Sequence, residues 1–389
     1  MYEKFLSKHV ETIKPSGIRK YFDLASEMEG VISLGVGEPD FNTPWHICEA
    51  AIYSIEAGKT HYTANQGLLE LREEICDYLK RRFNLTYDPV KNVIVTVGGS
   101  EAIDIAMRAI VNPGEEVILM EPSYVAYTPS VELLGGTPVH VKLSHEDQFK
   151  LTPEKLEAAI TPKTKAILLN FPSNPTGGVM TKEDYEKLIP IIKKHELIVL
   201  SDEIYAELTY EGEFCSLASF KEIKDQVIII SGFSKAYAMT GWRLGYVVAN
   251  ETFTKAMNKI HQYIIMSAPT AAQYGAIEAL RNGDIHVLEM KESYMARRNF
   301  ITKGFNRLGL PTHLPQGAFY IFPDIRSTGL NSDEFCVQLL NDQKVACVPG
   351  TAFGDAGEGF IRVSYAYSID HIREALERIE KFLEKIRPV

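Results

Sequence analysis

Between residues 45 and 250 the chain carries seven short runs rich in Val and Ile. They are Val93–Val97, Glu116–Met120, Pro138–Lys142, Ala166–Asn170, Leu197–Ser201, Val227–Ser231 and Leu244–Ala249. Each is of strand length, and Gly, Pro, Asn or Asp residues bound them. Stretches of helical period separate them, among them Ser100–Ile110, Pro153–Ala159 and Lys182–Lys194. Strands that are apolar on both faces and alternate with helices belong in a sheet covered on both sides. The pattern predicts a large α/β domain with a seven-stranded, mostly parallel sheet over residues 45–280.

After about residue 280 the texture changes. A long polar helix, Val287–Leu308, leads to a strand at Ala318–Phe322, then to a helix at Ser332–Asn341. Two strands (Val345–Val348 and Phe360–Ser364) and a terminal helix (Ile369–Ile386) complete a smaller α+β domain over 281–389. Residues 1–44 read as an N-terminal arm, partly helical over 1–30, whose Gly-rich part Val31–Thr43 joins the small domain. No internal repeat and no linker rich in Ser, Gly or Pro is present.

Of the 389 residues, 45% are hydrophobic, which is ample for a core of this size. The net charge of −10 argues against a nucleic-acid partner. Cysteines stand at 48, 76, 215, 336 and 347, an odd number with no CxxC, so neither a disulfide framework nor a zinc cluster is expected. The charged N-terminus has no apolar core of signal-peptide length. The longest apolar runs fall far short of the ~20 residues that cross a bilayer. A cytoplasmic protein with no membrane contact and no metal is expected.

Five segments carry chemistry. In SGFSKAYAMTGWRLGY (Ser231–Tyr246), Lys235 follows a buried strand on a Gly-bounded loop, with Ser234 before it and Arg243 eight residues on. A lysine so placed either snorkels to solvent or serves, with a lowered pKa, as a Schiff-base former. In SDEIY (Ser201–Tyr205), Asp202 ends a strand, where parallel sheets carry ligands. It either caps a turn or pairs with a cationic ring nitrogen. NFPSNPTGG (Asn170–Gly178) is an ordered turn that holds out the amide of Asn174. TVGGSEA (Thr96–Ala102) joins a strand to a helix start that favours an anion. In FIRVSY (Phe360–Tyr365), Arg362 lies inside an apolar strand and needs an anion, internal or from a substrate. Tyr124 in EPSYVAY could stack on a flat ligand, and Tyr62 in HYTANQG precedes a leucine-rich helix. Each segment alone has an ordinary structural reading.

Together they stand in the order and spacing of one family. The chain resembles the class I aminotransferases among the fold-type I pyridoxal-phosphate enzymes, most closely the aromatic and broad-specificity branch. The resemblance runs from SLGVGEPDFNTP (Ser33–Pro44) through HYTANQG, NPTGG, SDEIY and SKAYAMTGWRLGY to PQGAFYIF and FIRVSYA. Its specific part is NPTG, then D-E-x-Y with Asp202 28 residues after Asn174, then Lys235 and Arg243.

The resemblance implies pyridoxal 5′-phosphate as cofactor and assigns each residue a role. Lys235 would carry the cofactor and shuttle a proton at the substrate Cα. Asp202 would pair with the ring nitrogen, and Tyr205 and Asn174 with the ring oxygen. Tyr124 and Ile204 would cover the two ring faces. The phosphate would lie against Gly99, Ser100, Glu101, Ser234 and Arg243, with Tyr62 reaching it from a second subunit of a homodimer. Arg362 would clamp the substrate carboxylate, with Gly37 closing over it beside Tyr124 and Asn174. A cis bond is expected at Asn174–Pro175.

There are departures. Some members carry a hydroxyl residue three positions before the lysine, where this chain has Gly232. The dicarboxylate branch supplies an arginine some thirty residues after the lysine, and Lys255–Gly275 contains none. An apolar pocket built by residues such as Ile18, Tyr263 and Phe353 is expected instead. The implied activity is transfer of an amino group from an L-amino acid, aromatic or broadly chosen, to a 2-oxo acid such as 2-oxoglutarate, by a ping-pong cycle. The alternatives are a β-C–S lyase of the same fold and a non-catalytic regulator that keeps the cofactor.

Overall fold

The computed structural model describes residues 28–386 together with Tyr2, 5–11, 13–15 and 17–18. Much of the expected arm over 1–30 therefore lies outside the described residues; a short helical turn, Lys8–Glu11, lies within them.

Strand β1 is Ile32–Ser33. Seven strands then form the central sheet: β2 (Val93–Thr96), β3 (Glu116–Glu121), β4 (Thr137–Lys142), β5 (Thr164–Asn170), β6 (Ile198–Asp202), β7 (Val227–Gly232) and β8 (Gly245–Val248). Their spatial order is β2-β8-β7-β6-β5-β3-β4. β8 runs antiparallel to β2 and β7, and the other pairings are parallel. The seven expected runs are these seven strands.

The sheet alternates as its pleat requires. Val95, Ile118, Ile167, Val199 and Ile229 face a core that holds Leu71, Ile75, Leu188, Ile192 and Leu280. Ile94, Leu119, Leu168, Leu200 and Ile230 face the other side, against Ile103, Met107 and Met257. The helices Leu69–Phe83, Lys182–Lys194 and Thr270–Asn282 supply the first cover, and Gly98–Ile110 and Glu251–Ile264 the second. On Lys182–Lys194 the buried residues are Tyr185, Leu188, Ile189 and Ile192, one stripe of helical period, and Thr181 with Asp184 closes a capping box. β4 is one of the two edge strands and half exposed, which is where Pro138 costs no ladder bond.

A third core gathers Leu34, Tyr294, Phe305, Phe319, Phe335, Ile361 and Phe382. Around it stand the helices Asp284–Arg307, Ser332–Gln343 and Ile369–Ile386. The run expected as one strand, Val345–Val348, divides at Cys347. β10 (Val345–Ala346) pairs in parallel with β1, whereas β11 (Val348–Pro349) pairs with β12 (Ile361–Ser364). β12 also pairs with β9 (Tyr320–Ile321). β9 is shorter than the expected Ala318–Phe322 because Ala318 takes a left-handed conformation, φ 57°, and Pro323 follows. The Asn174–Pro175 bond is cis, as expected, and so are Glu121–Pro122 and Phe171–Pro172.

Candidate active site

A cavity of about 440 Å³ opens where β5, β6 and β7 end and the helix Gly98–Ile110 begins. Across it stand the segment Val36–Glu38, Tyr320 and Arg362. It is lined by Gly37, Gly99, Ser100, Tyr124, Asn174, Asp202, Ile204, Tyr205, Ser234, Lys235, Arg243 and Arg362. Twelve of the expected site residues thus meet in one place, drawn from segments more than 300 residues apart.

Lys235 enters three residues after β7. Its Nζ donates to the Gly37 carbonyl at 2.7 Å. Burial of the head group lowers its pKa to about 8; Glu38 and Asp202 pull upward, while Arg362 and Arg243 repel the cation. The amine is therefore in reach of its neutral, nucleophilic form near physiological pH.

Asp202 is the last residue of β6 and is buried. Burial pushes its pKa up to about 6, while two donors work to hold the anion. Tyr127 Oη–H donates to Oδ2 at 2.7 Å, and the Ile204 N–H donates to Oδ1 at 3.2 Å. Asn170 fixes the strand end: its Nδ2 donates to the Asp202 carbonyl at 3.1 Å and its Oδ1 accepts from the Asn174 N–H at 3.0 Å. A buried carboxylate thus faces an amine across the cavity without pairing with it directly.

Arg362 is 2% exposed. Its Nη1 donates to Asn174 Oδ1 at 3.0 Å and its Nη2 to the Gly35 carbonyl. Its Nε is buried with no hydrogen-bond partner among the described residues. Among the described residues no carboxylate forms an ion pair with it; the rings of Tyr320 and Phe353 flank it at 4.7 and 4.8 Å. A buried guanidinium with an open donor is a receptor for a carboxylate from outside. Beside it, the hydroxyls of Tyr205 and Tyr320 meet at 2.8 Å.

The opposite end is built for a larger anion. Gly98 has φ +74°, and a Cβ there would lie 2.8 Å from Arg243 Nη2. A Cβ on Gly245 would lie 2.7 Å from the Gly99 nitrogen. The turn into the helix therefore rests directly on β8, with the guanidinium against it. The first-turn N–H groups have no acceptor within the helix and point with its dipole at the cavity end. The Ser100 and Ser234 hydroxyls stand beside them. Gly232 is tight too: a Cβ there would be 2.9 Å from Gly245 Cα and 3.0 Å from the Leu244 carbonyl. A hydroxyl side chain at that position has no room.

Some expected placements differ. Glu101 does not line the cavity: its carboxylate turns to His261 and to the Val97 N–H, because it sits on the side of the helix that faces Glu251–Ile264. Tyr62 is 82% exposed and lies outside this cavity. Of the three apolar candidates, Ile18 lines the cavity, Phe353 packs behind Arg362, and Tyr263 is 87% exposed. Tyr127, Tyr320, Glu38 and Thr240 are site residues that the sequence reading left without a role. The signal for Tyr127 was a second tyrosine three after Tyr124, and for Tyr320 its place in PQGAFYIF.

Known proteins resemble this chain along nearly its whole length. The family model for aminotransferase class I and II matches residues 29–379. A putative aminotransferase, YugH, of Bacillus subtilis is 57% identical over 98% of this chain and 99% of its own length. An aspartate aminotransferase of Pyrococcus abyssi is 45% identical over 98% of each chain. The crystal structure of an aromatic aminotransferase from Pyrococcus horikoshii superposes with a TM-score of 0.90 at 43% identity, covering 95% of this chain and 99% of that one.

Proposed function

Because the chain belongs to the class I and II aminotransferases, enzymes that use pyridoxal phosphate to move an amino group from an amino acid to a 2-oxo acid, we propose that its donors are amino acids with aromatic or other apolar side chains and its acceptor is 2-oxoglutarate. The observation that carries the donor class is the cavity wall. Its cations among the described residues are Lys235, Arg243 and Arg362, and each has a task. The apolar wall left for the substrate side chain is Ile18, Val36, Ile103 and Val125.

The donor set suits the cofactor. The Gly98–Ser100 turn, Ser234 and Arg243 would hold the phosphate, Asp202 the ring nitrogen, Tyr205 and Asn174 the ring oxygen, and Tyr124 and Ile204 the ring faces. When bound, the cofactor supplies a carbonyl that takes the amino group and a ring that draws electrons from the substrate Cα. The chain's own residues do the rest. Arg362 orients the substrate through its α-carboxylate, with Asn174 fixing the guanidinium. Lys235 would take the proton from the substrate Cα and return it to the former carbonyl carbon on the far side of the transferred nitrogen, a task suited to an amine near its pKa. Asp202 keeps a proton on the ring nitrogen by remaining an anion, which Tyr127 and the Ile204 N–H favour. Tyr320 orders the Tyr205 hydroxyl.

The reading includes a large cofactor-binding unit over 45–280, a small unit over 281–389 with part of 1–44, a homodimer with shared sites, and a cytoplasmic location. The third core around Phe305 and Phe335 supports the division. Trp45, Tyr53, Tyr62 and Tyr263 are largely exposed, a costly display for a single chain, which supports pairing. Free thiols at all five cysteines suit a reducing compartment.

A second reading, aspartate as donor, has the relative named an aspartate aminotransferase in its favour. One experiment separates them. Single amino acids are added to the yellow holoenzyme without any oxo acid, and the rate of conversion of its absorption band is ranked. Phenylalanine and tyrosine should lead. Aspartate leading would overturn the donor assignment. No conversion by any amino acid, with pyruvate and thiol released from cystathionine, would replace transamination by elimination.

A further inference from the structure

The Glu101 carboxylate, turned away from the cavity, joins a buried unit that no catalytic task explains. Its Oε1 meets His261 Nδ1 at 2.5 Å, and its Oε2 accepts the Val97 N–H. His261 is fully buried, and its Nε2 meets the Asn65 carbonyl at 2.7 Å. Both ring nitrogens face acceptors, so each contact needs a hydrogen. One proton lies between Glu101 and Nδ1, whichever of the two holds it. With one hydrogen fewer, two acceptors would face each other where His261 is fully buried and the Glu101 side chain is 9% exposed.

The unit links three elements. Val97 is the residue at which β2 becomes the helix whose Gly99 and Ser100 line the anion end of the cavity. His261 lies on the helix Glu251–Ile264. Asn65 belongs to the segment 61–66, which carries the exposed Tyr62. Other bonds fasten that segment to the chain just beyond: Asn65 Nδ2 to the Met266 carbonyl at 2.8 Å, and Thr270 Oγ1 to the His61 carbonyl at 2.9 Å. Gln66 joins the segment to β2 itself, its carbonyl accepting the Val95 N–H at 3.0 Å and its Nε2 donating to the Val93 carbonyl at 3.4 Å; the His261 link goes further, through Glu101 to Val97 at the start of the cavity turn.

We propose that Glu101 and His261 are positioning residues that set the phosphate-binding turn of one subunit and the Tyr62 segment it offers to the neighbouring site in a single register. This rests on the shared-site reading above. The pair touches no reacting atom; it acts on the phosphate through Val97 on one side and Asn65 on the other.

The test compares pyridoxal phosphate with pyridoxal, which lacks the phosphate. Dissociation constants of both are measured on the full chain after its cofactor is removed, for wild type, His261→Gln, Tyr62→Phe and the double variant. Glutamine can replace one of the two ring contacts but not both. His261→Gln should weaken pyridoxal phosphate about tenfold and pyridoxal less than about twofold, the loss of roughly one hydrogen bond's worth of phosphate holding. Together with Tyr62→Phe it should lose less than the product of the two, because both act through one segment. Equal weakening of the two ligands, or none, overturns the proposal. Single losses that multiply overturn the shared register alone. A Tyr62→Phe variant that binds both ligands as wild type does overturns the shared-site reading itself. Should His261→Gln not fold, Glu101→Gln with His261→Gln exchanges the pair for two amides and is read in the same way.

Discussion

Tyr127 donates its hydroxyl hydrogen to Asp202 Oδ2 at 2.7 Å, so the buried anion at the end of β6 is held by a side chain from the short helix Tyr127–Glu132. Burial raises the Asp202 pKa to about 6, and this bond is the largest influence against it. Removing the bond lets the pKa rise further, so the ionised form is lost at a higher pH. Hydrogen bonds to charged groups are worth about 1.5–3 kcal/mol. Tyr127→Phe should therefore lower kcat/KM about tenfold and move the acid limb of its pH profile upward by about one unit. A profile with an unmoved acid limb would show that Tyr127 merely packs.

Lys235 must lose a proton before it can attack a carbonyl, and its pKa is lowered to about 8. Below that value most of it is protonated. Capture of pyridoxal phosphate by the cofactor-free protein should accelerate about tenfold per pH unit and level off above about 8. Stopped-flow absorbance follows this directly. Lys235→Ala should still bind the cofactor through the phosphate turn but lose about 10⁴-fold or more in turnover. Retained turnover would remove Lys235 from its assigned role.

Arg362 has two donors engaged with Asn174 and Gly35, and Nε open. Arg362→Gln should raise KM for amino acids by about 10- to 100-fold, the worth of a charged hydrogen-bonded contact. Cofactor affinity should change less than about twofold, because the phosphate would lie at the other end, against Ser100 and Arg243. Arg362→Lys should recover little, since an ammonium cannot offer the fork. A comparable fall in cofactor affinity would mean that Arg362 holds the site together rather than the substrate.

The parts of this structure that were legible are those decided by local rules. Six of the seven sheet strands are buried on both faces, β4 at the edge being the exception, and few other arrangements satisfy that pattern. Asp202 ends a strand, Arg362 lies inside one, and Asn174 and Lys235 follow strands by four and three residues, places where burying such groups demands a use. What was not legible depends on partners far along the chain. Tyr127 gains its role from Asp202, 75 positions on, and Tyr320 gains its own from Tyr205, 115 positions back. The first-turn place of Glu101 suggested an anion site, but its direction is set by His261, 160 residues away. Likewise nothing within Val345–Val348 says that its two halves pair in different sheets. β1 and β12 decide that.

Glu203 follows Asp202 in sequence, points to the opposite side of the sheet end, and offers a test of the fold independent of the reaction. Its Oε1 accepts from Ser201 at 2.9 Å and from Ser216 at 2.7 Å, and the side chain is 3% exposed as a residue. Burial pushes its pKa from 4.5 to about 7; the serines oppose this, and the Asp202 charge adds to it. Between those two values the folded chain holds a proton that the unfolded chain has released. Stability therefore falls as pH rises through that window, by about 3 kcal/mol in total at about 1.4 kcal/mol per unit. Glu203→Gln keeps an acceptor for the serines and carries no charge at any pH. Denaturant unfolding of both proteins should show the variant gaining on the wild type by about 3 kcal/mol from pH 4.5 to pH 8. A difference that stays flat across the window would mean that two hydroxyls suffice to keep this carboxylate ionised, and that burial alone does not set its charge.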